Sequence, residues 1–419
     1  MVSLWKIAAK SARQRKTGLA LAMISISLSV FLLLGIDKLQ KEAESAFLNA
    51  ASGTDLIVGA RGGSLNLLLY SLFGIGSATN NVSYETYEKA KVLEQVAWTV
   101  PISLGDSHRG FRVIGTDSNF FEYYRYGAKQ KLRFKEGLVF DDMFDTVIGS
   151  DVANKLGYRI EQEVVVSHGA IEKGALKHDD KPFRVVGILA KTGTPVDQAV
   201  LVSLEGFEAM HLAWLSGAPG PFKVSAEQAR KFGLKPKALT AFYVGLKNRV
   251  QTFKMQRYFN EFKEEPLTAI LPGVALQELW RLLSQFKNVL FAIGSLVFLS
   301  GFLSILITLL STLNERRREI SILKSIGARI HHIFALFALE SAIVVLGGIF
   351  FGSVLLYSLL YAFRDIAAER FGVVIHLSAL DSEQFFFVLM MIPLAVVFSI
   401  IPAFVAYRRS LKDGLNIKC

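Results

Sequence analysis

Residues 312–333 read Thr312-Leu-Asn-Glu-Arg-Arg-Arg-Glu-Ile-Ser-Ile-Leu-Lys-Ser-Ile-Gly-Ala-Arg-Ile-His-His-Ile333, a charged stretch between two long apolar ones. Before it, Asn288–Leu313 runs for 26 residues without a charge; after it, Ile333–Phe363 carries only Glu340. A hydrocarbon core about 30 Å thick needs roughly 20 helical residues at about 1.5 Å each, so both flanks are long enough to cross a bilayer. The loop 314–332 holds five basic residues (Arg316, Arg317, Arg318, Lys324, Arg329) and two acidic ones (Glu315, Glu319). Short loops rich in Lys and Arg stay on the cytoplasmic side. Within the loop, Ile320, Leu323 and Ile326 can form an apolar ridge on a short helix, a shape suited to a groove on a partner. Gly327 can end that helix in a left-handed cap. A loop that only fixed orientation would need no such ridge.

Two further segments have the length of a span. Gly18–Ile36 gives 19 uncharged residues, and Phe385–Tyr407 has no charge. The first could be a cleaved signal peptide, but its apolar run exceeds the roughly 7–15 residues of a signal core, and no small-residue cleavage pattern follows it directly. A retained helix is expected. The first 17 residues hold five basic residues and the tail after Tyr407 holds four, whereas 364–384 has two basic against four acidic. Basic flanks therefore predict both termini and 314–332 in the cytoplasm. The expected layout is an amphipathic interfacial helix at 1–17, spans at 18–36, 288–313, 333–363 and 385–407, an extracytoplasmic domain at 37–287, a short outer loop at 364–384 and a cytoplasmic tail at 408–419. The net charge of +11 lies in the cytoplasmic pieces, with 14 basic and 3 acidic residues, while 37–287 holds 31 and 28. The excess is a topology signal that attracts anionic lipid rather than nucleic acid. Cys419 is the single cysteine, so the outer domain has no disulfide.

In the outer domain, 38–50 reads as a helix, and Leu276, Leu279, Leu283 and Phe286 recur at helical spacing before the second span. These stalk helices, near 38–50 and 275–287, would extend two spans outward. Between them Asp55–Gly59, Phe111–Gly115, Glu163–Ser167, Phe183–Leu189 and Ala241–Leu246 read as strands, and Ser83–Leu93 and Ser225–Phe232 as helices. The fold class is an α+β membrane protein: four transmembrane helices, a helical stalk and a large mixed α/β outer domain, in one or two lobes.

Catalytic motifs are missing. Gly187-Ile-Leu-Ala-Lys-Thr-Gly-Thr194 is the nearest approach to a phosphate loop, but Lys191 precedes the second glycine instead of following it. His108, His168, His178 and His211 are scattered, and Lys177–Lys181 reads as a solvated turn rather than a metal site. No metal site and no catalytic residue is expected in this chain. Glu340 is the ionisable residue inside a span. It either faces the bundle interior or a partner, or lies near the inner interface and reaches water. Gly348-Ile-Phe-Phe-Gly352, preceded by Gly347, permits close helix packing, within the chain or across a dimer.

The loop resembles the signature of the FtsX-like, or MacB-like, permease family, in which E-R-x-x-E-I-x-x-L-x-x-x-G-A joins two membrane helices. The matching residues are Glu315, Arg316, Glu319, Ile320, Leu323, Gly327 and Ala328, and the order of one span, a large outer domain and three spans matches as well. Because the amphipathic helix stands first, a separately encoded permease, similar to lipoprotein-releasing ones, is expected. The resemblance implies a permease subunit of an ABC transporter in the bacterial inner membrane, without catalysis of its own. It implies a cytoplasmic ATPase dimer as partner, engaged by Glu315 to Ala328, with ATP and Mg on that partner and no cofactor in this chain. It further implies a second copy or a homologous permease, a periplasmic protein or lipoprotein partner, and mechanotransmission, in which helix motion drives the outer domain. Rival readings are passage of substrate through or beside the helices, a signalling scaffold for a periplasmic hydrolase, and a membrane-anchored enzyme. Asp55-Leu-Ile-Val-Gly-Ala-Arg-Gly-Gly63 and Leu67-Leu-Leu-Tyr-Ser-Leu-Phe73 also resemble a subgroup associated with metal-uptake gene clusters.

Overall fold

The computed structural model describes residues 16–50, 52–168, 181–212, 214–215, 218–219, 225–231, 234–311, 313, 327–371 and 377–413. The chain forms two units, one of long helices (Met1–Lys41, Ser284–Asp365, Ile375–Cys419) and one built on a sheet (Glu42–Leu283, Ile366–Val374). The interfacial helix expected at 1–17 lies almost wholly outside the described residues. Helix α1 (Lys16–Ala50) is a single helix of 35 residues. The span and stalk segment expected from the sequence are thus one element, with no proline between them to break it.

Among the described residues the main sheet of this unit has eleven strands: β1 (Leu56–Ala60), β2 (Val96–His108), β3 (Phe111–Thr116), β4 (Phe134–Gly137), β5 (Asp145–Ile148), β6 (Glu163–Val164), β7 (Ser167–His168), β8 (Phe183–Leu189), β9 (Ala199–Ser203), β10 (Ala241–Leu246) and β11 (Leu267–Ile270). Their order is β11-β1-β10-β2-β3-β9-β5-β8-β4, with β7 added to β2 and β6 to β8. The pairs β3–β9 and β5–β8 are parallel. The helices of this unit include α2 (Ser64–Leu72), α3 (Tyr84–Lys91), α4 (Asn119–Tyr123), α5 (Ser150–Leu156), α6 (Leu204–Met210) and α7 (Thr252–Asn260).

Side chains alternate between the faces of a strand, and here both faces are buried. Ile57, Val100, Ile102, Val147, Leu201 and Tyr243 share one core with Leu67 and Leu68 of α2 and Phe120 of α4. Their neighbours in sequence point the other way into two separate cores. Leu56, Val58, Phe242 and Val244 meet Tyr87 of α3 and Phe259 of α7. Val113, Ile148, Val185, Val200 and Val202 meet Val152 of α5 and Met210 of α6. The choice between one lobe and two resolves into a continuous sheet with one core on one face and two on the other.

The strands expected at 55–59, 111–115, 183–189 and 241–246 are present as β1, β3, β8 and β10, to within a residue at each end. The run 163–167 divides into β6 and β7, which pair with different strands, β8 and β2. The longest strand, β2 with 13 residues, is not legible in the sequence because it contains Pro101 and Gly105. Proline lacks the N–H that a strand interior uses. Pro101 is accommodated because β3 pairs with β2 only from Ser103 onward, and the Pro101 carbonyl accepts the Thr116 hydroxyl at 2.8 Å. The helix expected over 225–232 is shorter, Ala226–Ala229, opened by a Ser225 capping box.

The helical unit is completed by α8 (Pro272–Ser311), α9 (Ile330–Phe371) and α10 (Ser382–Asp413). With α1, these are four helices long and apolar enough to cross a membrane. Helix α9 extends beyond Phe363 into the region expected as an outer loop, because Arg364 to Arg370 are mostly good helix formers. Ala22, Ile26, Val30 and Leu34 of α1 follow one another at helical spacing and pack with Phe302 and Ile305 of α8, Phe337 and Val345 of α9, and Met391 of α10.

Candidate functional site

Of the residues expected to engage an ATPase, Glu315, Arg316, Arg317, Arg318, Glu319, Ile320 and Leu323 lie outside the described residues. Gly327 adopts φ +94°, a conformation side-chain-bearing residues rarely enter. Ala328 follows it, and the Arg329 amide donates to His332 Nδ1 at 3.1 Å as α9 begins. A left-handed glycine therefore stands one turn before the third long helix.

Glu340 is 1 % exposed, as is Ser341 beside it. The carboxylate lies inside the helical unit, near the buried Phe337 and Val344, where an ionisable group is costly. Gly347, Gly348 and Gly352 face α1 of the same chain. A Cβ at Gly347 would stand 2.6 Å from Met23 Cε, one at Gly348 2.5 Å from Ile26 Cγ2, and one at Gly352 2.6 Å from the Ser27 carbonyl oxygen. On the other side of α1, Cβ atoms at Gly294 and Gly301 of α8 would meet Leu33 Cδ2 at 2.7 Å and Ile26 Cγ1 at 3.1 Å. The small residues let three backbones approach closely, and Gly347, Gly348 and Gly352 make an intrachain contact with α1.

The helical unit also carries a polar cluster that the sequence reading passed over. Lys41 of α1 lies 3.1 Å from Asp37, 3.0 Å from Asp381 and 3.3 Å from Glu383. Lys287 of α8 reaches Asp37 at 3.4 Å, and Gln384 of α10 donates to Asp37 Oδ2 at 2.9 Å. The Lys38 ammonium donates to the Ser378 hydroxyl. Three helices are joined by charges whose partners lie hundreds of positions apart in sequence, which is why no local pattern announced them.

In the sheet unit, the segment 187–194 is not a phosphate cradle. Its amides at Thr192 and Gly193 donate to the Asp197 carboxylate at 2.8 and 2.7 Å. An internal anion already fills the turn. Burial is the largest influence on Asp197 and raises its pKa. His108 is held by the Val165 carbonyl at 2.7 Å and the Tyr158 hydroxyl at 2.9 Å, a structural role. His211 Nε2 faces buried Asp106 Oδ2 at 3.3 Å. No group of three or more His, Cys, Asp or Glu among the described residues is arranged to hold a metal; Lys177–Lys181 lies mostly outside them.

The sheet unit also has an open-mouthed cavity of about 880 Å³ beside the end of α1, the loop after α2 and the β2–β3 hairpin. Its walls include Phe47, Tyr70, Phe73, Leu104, Asp106 and Arg112.

A family model described as FtsX-like permease C-terminal matches residues 291–414, and one described as MacB-like periplasmic core domain matches residues 19–257. No curated protein sequence matches. The periplasmic region of MacB from Actinobacillus actinomycetemcomitans is similar over 55 % of this chain and 94 % of that one, at 10 % identity and a TM-score of 0.34. The extracellular domain of the ABC-type transporter YknZ from Gram-positive bacteria is similar over 52 % of this chain and 99 % of that one, at 13 % identity and a TM-score of 0.32.

Proposed function

The chain belongs to the FtsX-like permease family with a MacB-like periplasmic core domain, and from this we propose that it is the membrane subunit through which a separate cytoplasmic ATPase dimer drives work by the sheet unit. The observation that carries the reading is that the FtsX-like match, 291–414, spans the charged sequence 314–332 with its apolar Ile320, Leu323 and Ile326. ATP and Mg belong to the partner chain. Both termini and the loop are cytoplasmic, the sheet unit is periplasmic, and the permease acts with a second copy or a homologue. Closure of the ATPase pair tilts α8 and α9, and the motion passes outward to the sheet unit and its periplasmic or lipoprotein partner. The length of α1 and α8 supports this reading: each continues as one helix from a span-length apolar segment to residues packed in the sheet unit's core, Phe47 in α1 and Leu276 in α8.

Ile320 and Leu323 enter a groove on the ATPase, while Glu315 and Arg316–Arg318 orient the loop at its rim. Apolar anchors in a desolvated pocket dominate such interfaces and rim charges contribute less. Leu323→Asp puts a charge into that pocket and should abolish co-purification of the ATPase, with the permease's own melting temperature unchanged. Arg317→Ala should weaken association modestly and in a salt-dependent way. Wild-type stoichiometry of ATPase on the Leu323→Asp chain would remove the loop from the coupling mechanism.

A further inference from the structure

Arg112 lies on β3, where β2 opposite it is bulged between Leu104 and Ser107. Bulges re-aim side chains and recur beside binding sites. The loop after α2 bends around this arginine through Gly74 (φ +64°) and Gly76 (φ +84°). A Cβ on Gly74 would stand 2.8 Å from Arg112 Cδ, so only glycine lets the loop close so tightly. Arg112 Nη2 donates to the Gly76 carbonyl at 3.0 Å, and among the described residues this is its one hydrogen bond, with no carboxylate in ion-pair range. A guanidinium has five N–H donors, so most of its capacity is not used by the described residues. Burial lowers the Arg112 pKa from its ordinary value, which marks a charge already stripped of part of its water. The other charged wall residue, Asp106, is engaged with His211.

Beside this cation part of the wall is apolar, the ring centroids of Phe47 and Phe73 lying 4.3 Å apart with Tyr70 and Leu104 alongside, while Ser77, Asn81, Ser107, Gln198 and Thr240 complete the lining. A volume near 880 Å³ is that of a pocket for a drug-sized molecule. We propose that this cavity binds an amphipathic organic anion, its single anionic group on Arg112 and its apolar body against Phe47, Phe73 and Leu104. Arg112 repels a cation, and the apolar part of the wall offers nothing to a bare inorganic anion. The site lies entirely within the sheet unit and goes beyond the coupling role, holding whether or not an ATPase docks.

The test uses the full chain in amphipol, without ATPase, so that its failure is distinct from failure of the coupling reading. The probes are anilinonaphthalene sulfonate and phenylnaphthylamine, the same ring system without the sulfonate. The wild-type chain should show a saturable site for the sulfonate dye by fluorescence titration. Arg112→Met should weaken that site by about tenfold or more, the scale of a lost charge-assisted hydrogen bond, while phenylnaphthylamine binding holds. Ile75→Glu, at a residue 53 % exposed on the cavity wall, should likewise weaken only the sulfonate dye without threatening the fold. Melting temperatures of the variants serve as the folding control. Wild-type affinity for the sulfonate dye in both variants, equal loss of both dyes, or no saturable site at all would overturn the proposal.

Discussion

His211 sets both ring nitrogens against acceptors, Nδ1 on the Phe207 carbonyl at 2.9 Å and Nε2 on Asp106 at 3.3 Å. A neutral imidazole can donate only once, so the pair favours the protonated ring. Burial opposes the charge, but the Asp106 carboxylate and the Phe207 carbonyl outweigh it and raise the pKa above 6.5. A group whose folded pKa is raised contributes stability that is full below its unfolded pKa and is lost as pH rises through the folded value. The sheet unit should therefore lose this contribution as pH climbs above about 6.5. Asp106→Asn should flatten that slope, leaving the melting temperature less dependent on pH between about pH 6 and pH 8 than in the wild type. An unchanged slope would show that the pair does not titrate with folding. Nothing in the sequence marked His211 as paired, because Asp106 approaches from a different strand. Glu340 shows the same limit: its place within a span is legible in the sequence, but its burial depends on neighbours that only the packed helices supply.

At the scale of elements, runs that obey one rule were legible and those that serve two were not. β10 is a short apolar run with both faces buried, β8 is apolar apart from the exposed Arg184, and both form where their composition puts them. β2 must bend around Pro101 and Gly105 while pairing with three neighbours, β10, β3 and β7, so its local chemistry argues against the strand that its partners enforce. The long helices were legible as apolar runs, whereas the use of their glycines was not, since a G-x-x-x-G specifies close approach without naming the partner. The partner is α1, and the contact is tight enough to test. Gly352→Leu drives a side chain into the Ser27 carbonyl and Val30, and should destabilise the helical unit by about 1–3 kcal/mol. Gly273→Ala, where a Cβ would meet nothing within 4 Å, is the matched control and should be nearly neutral. Thermal unfolding of the purified chains decides between them. If Gly352→Leu kept wild-type stability and instead changed only the oligomeric state, α9 would be packing on another copy.

Over the whole molecule, the two units differ in what shapes their surfaces. The sheet unit buries apolar side chains on both faces and keeps 37–287 close to neutral, with 31 basic and 28 acidic residues. The helical unit leaves large apolar side chains exposed along its helices, among them Leu21 at 65 %, Leu296 at 67 % and Val397 at 57 %. Exposed apolar surface of that extent marks a lipid-facing protein. The charge asymmetry predicts a direction: 14 of the 47 basic residues flank the spans in 1–17, 314–332 and 408–419, where only 3 acidic residues accompany them. A membrane potential and the translocation machinery both retain such flanks inside. Impermeant thiol labelling tests this on a Cys419→Ser background, which removes the single native cysteine. Glu94→Cys, on the exposed surface of the sheet unit, should label in intact cells whose outer membrane is permeabilised. Ser325→Cys should label only after the inner membrane is opened. The reverse pattern would invert the topology and put the 314–332 loop out of reach of any cytoplasmic ATPase.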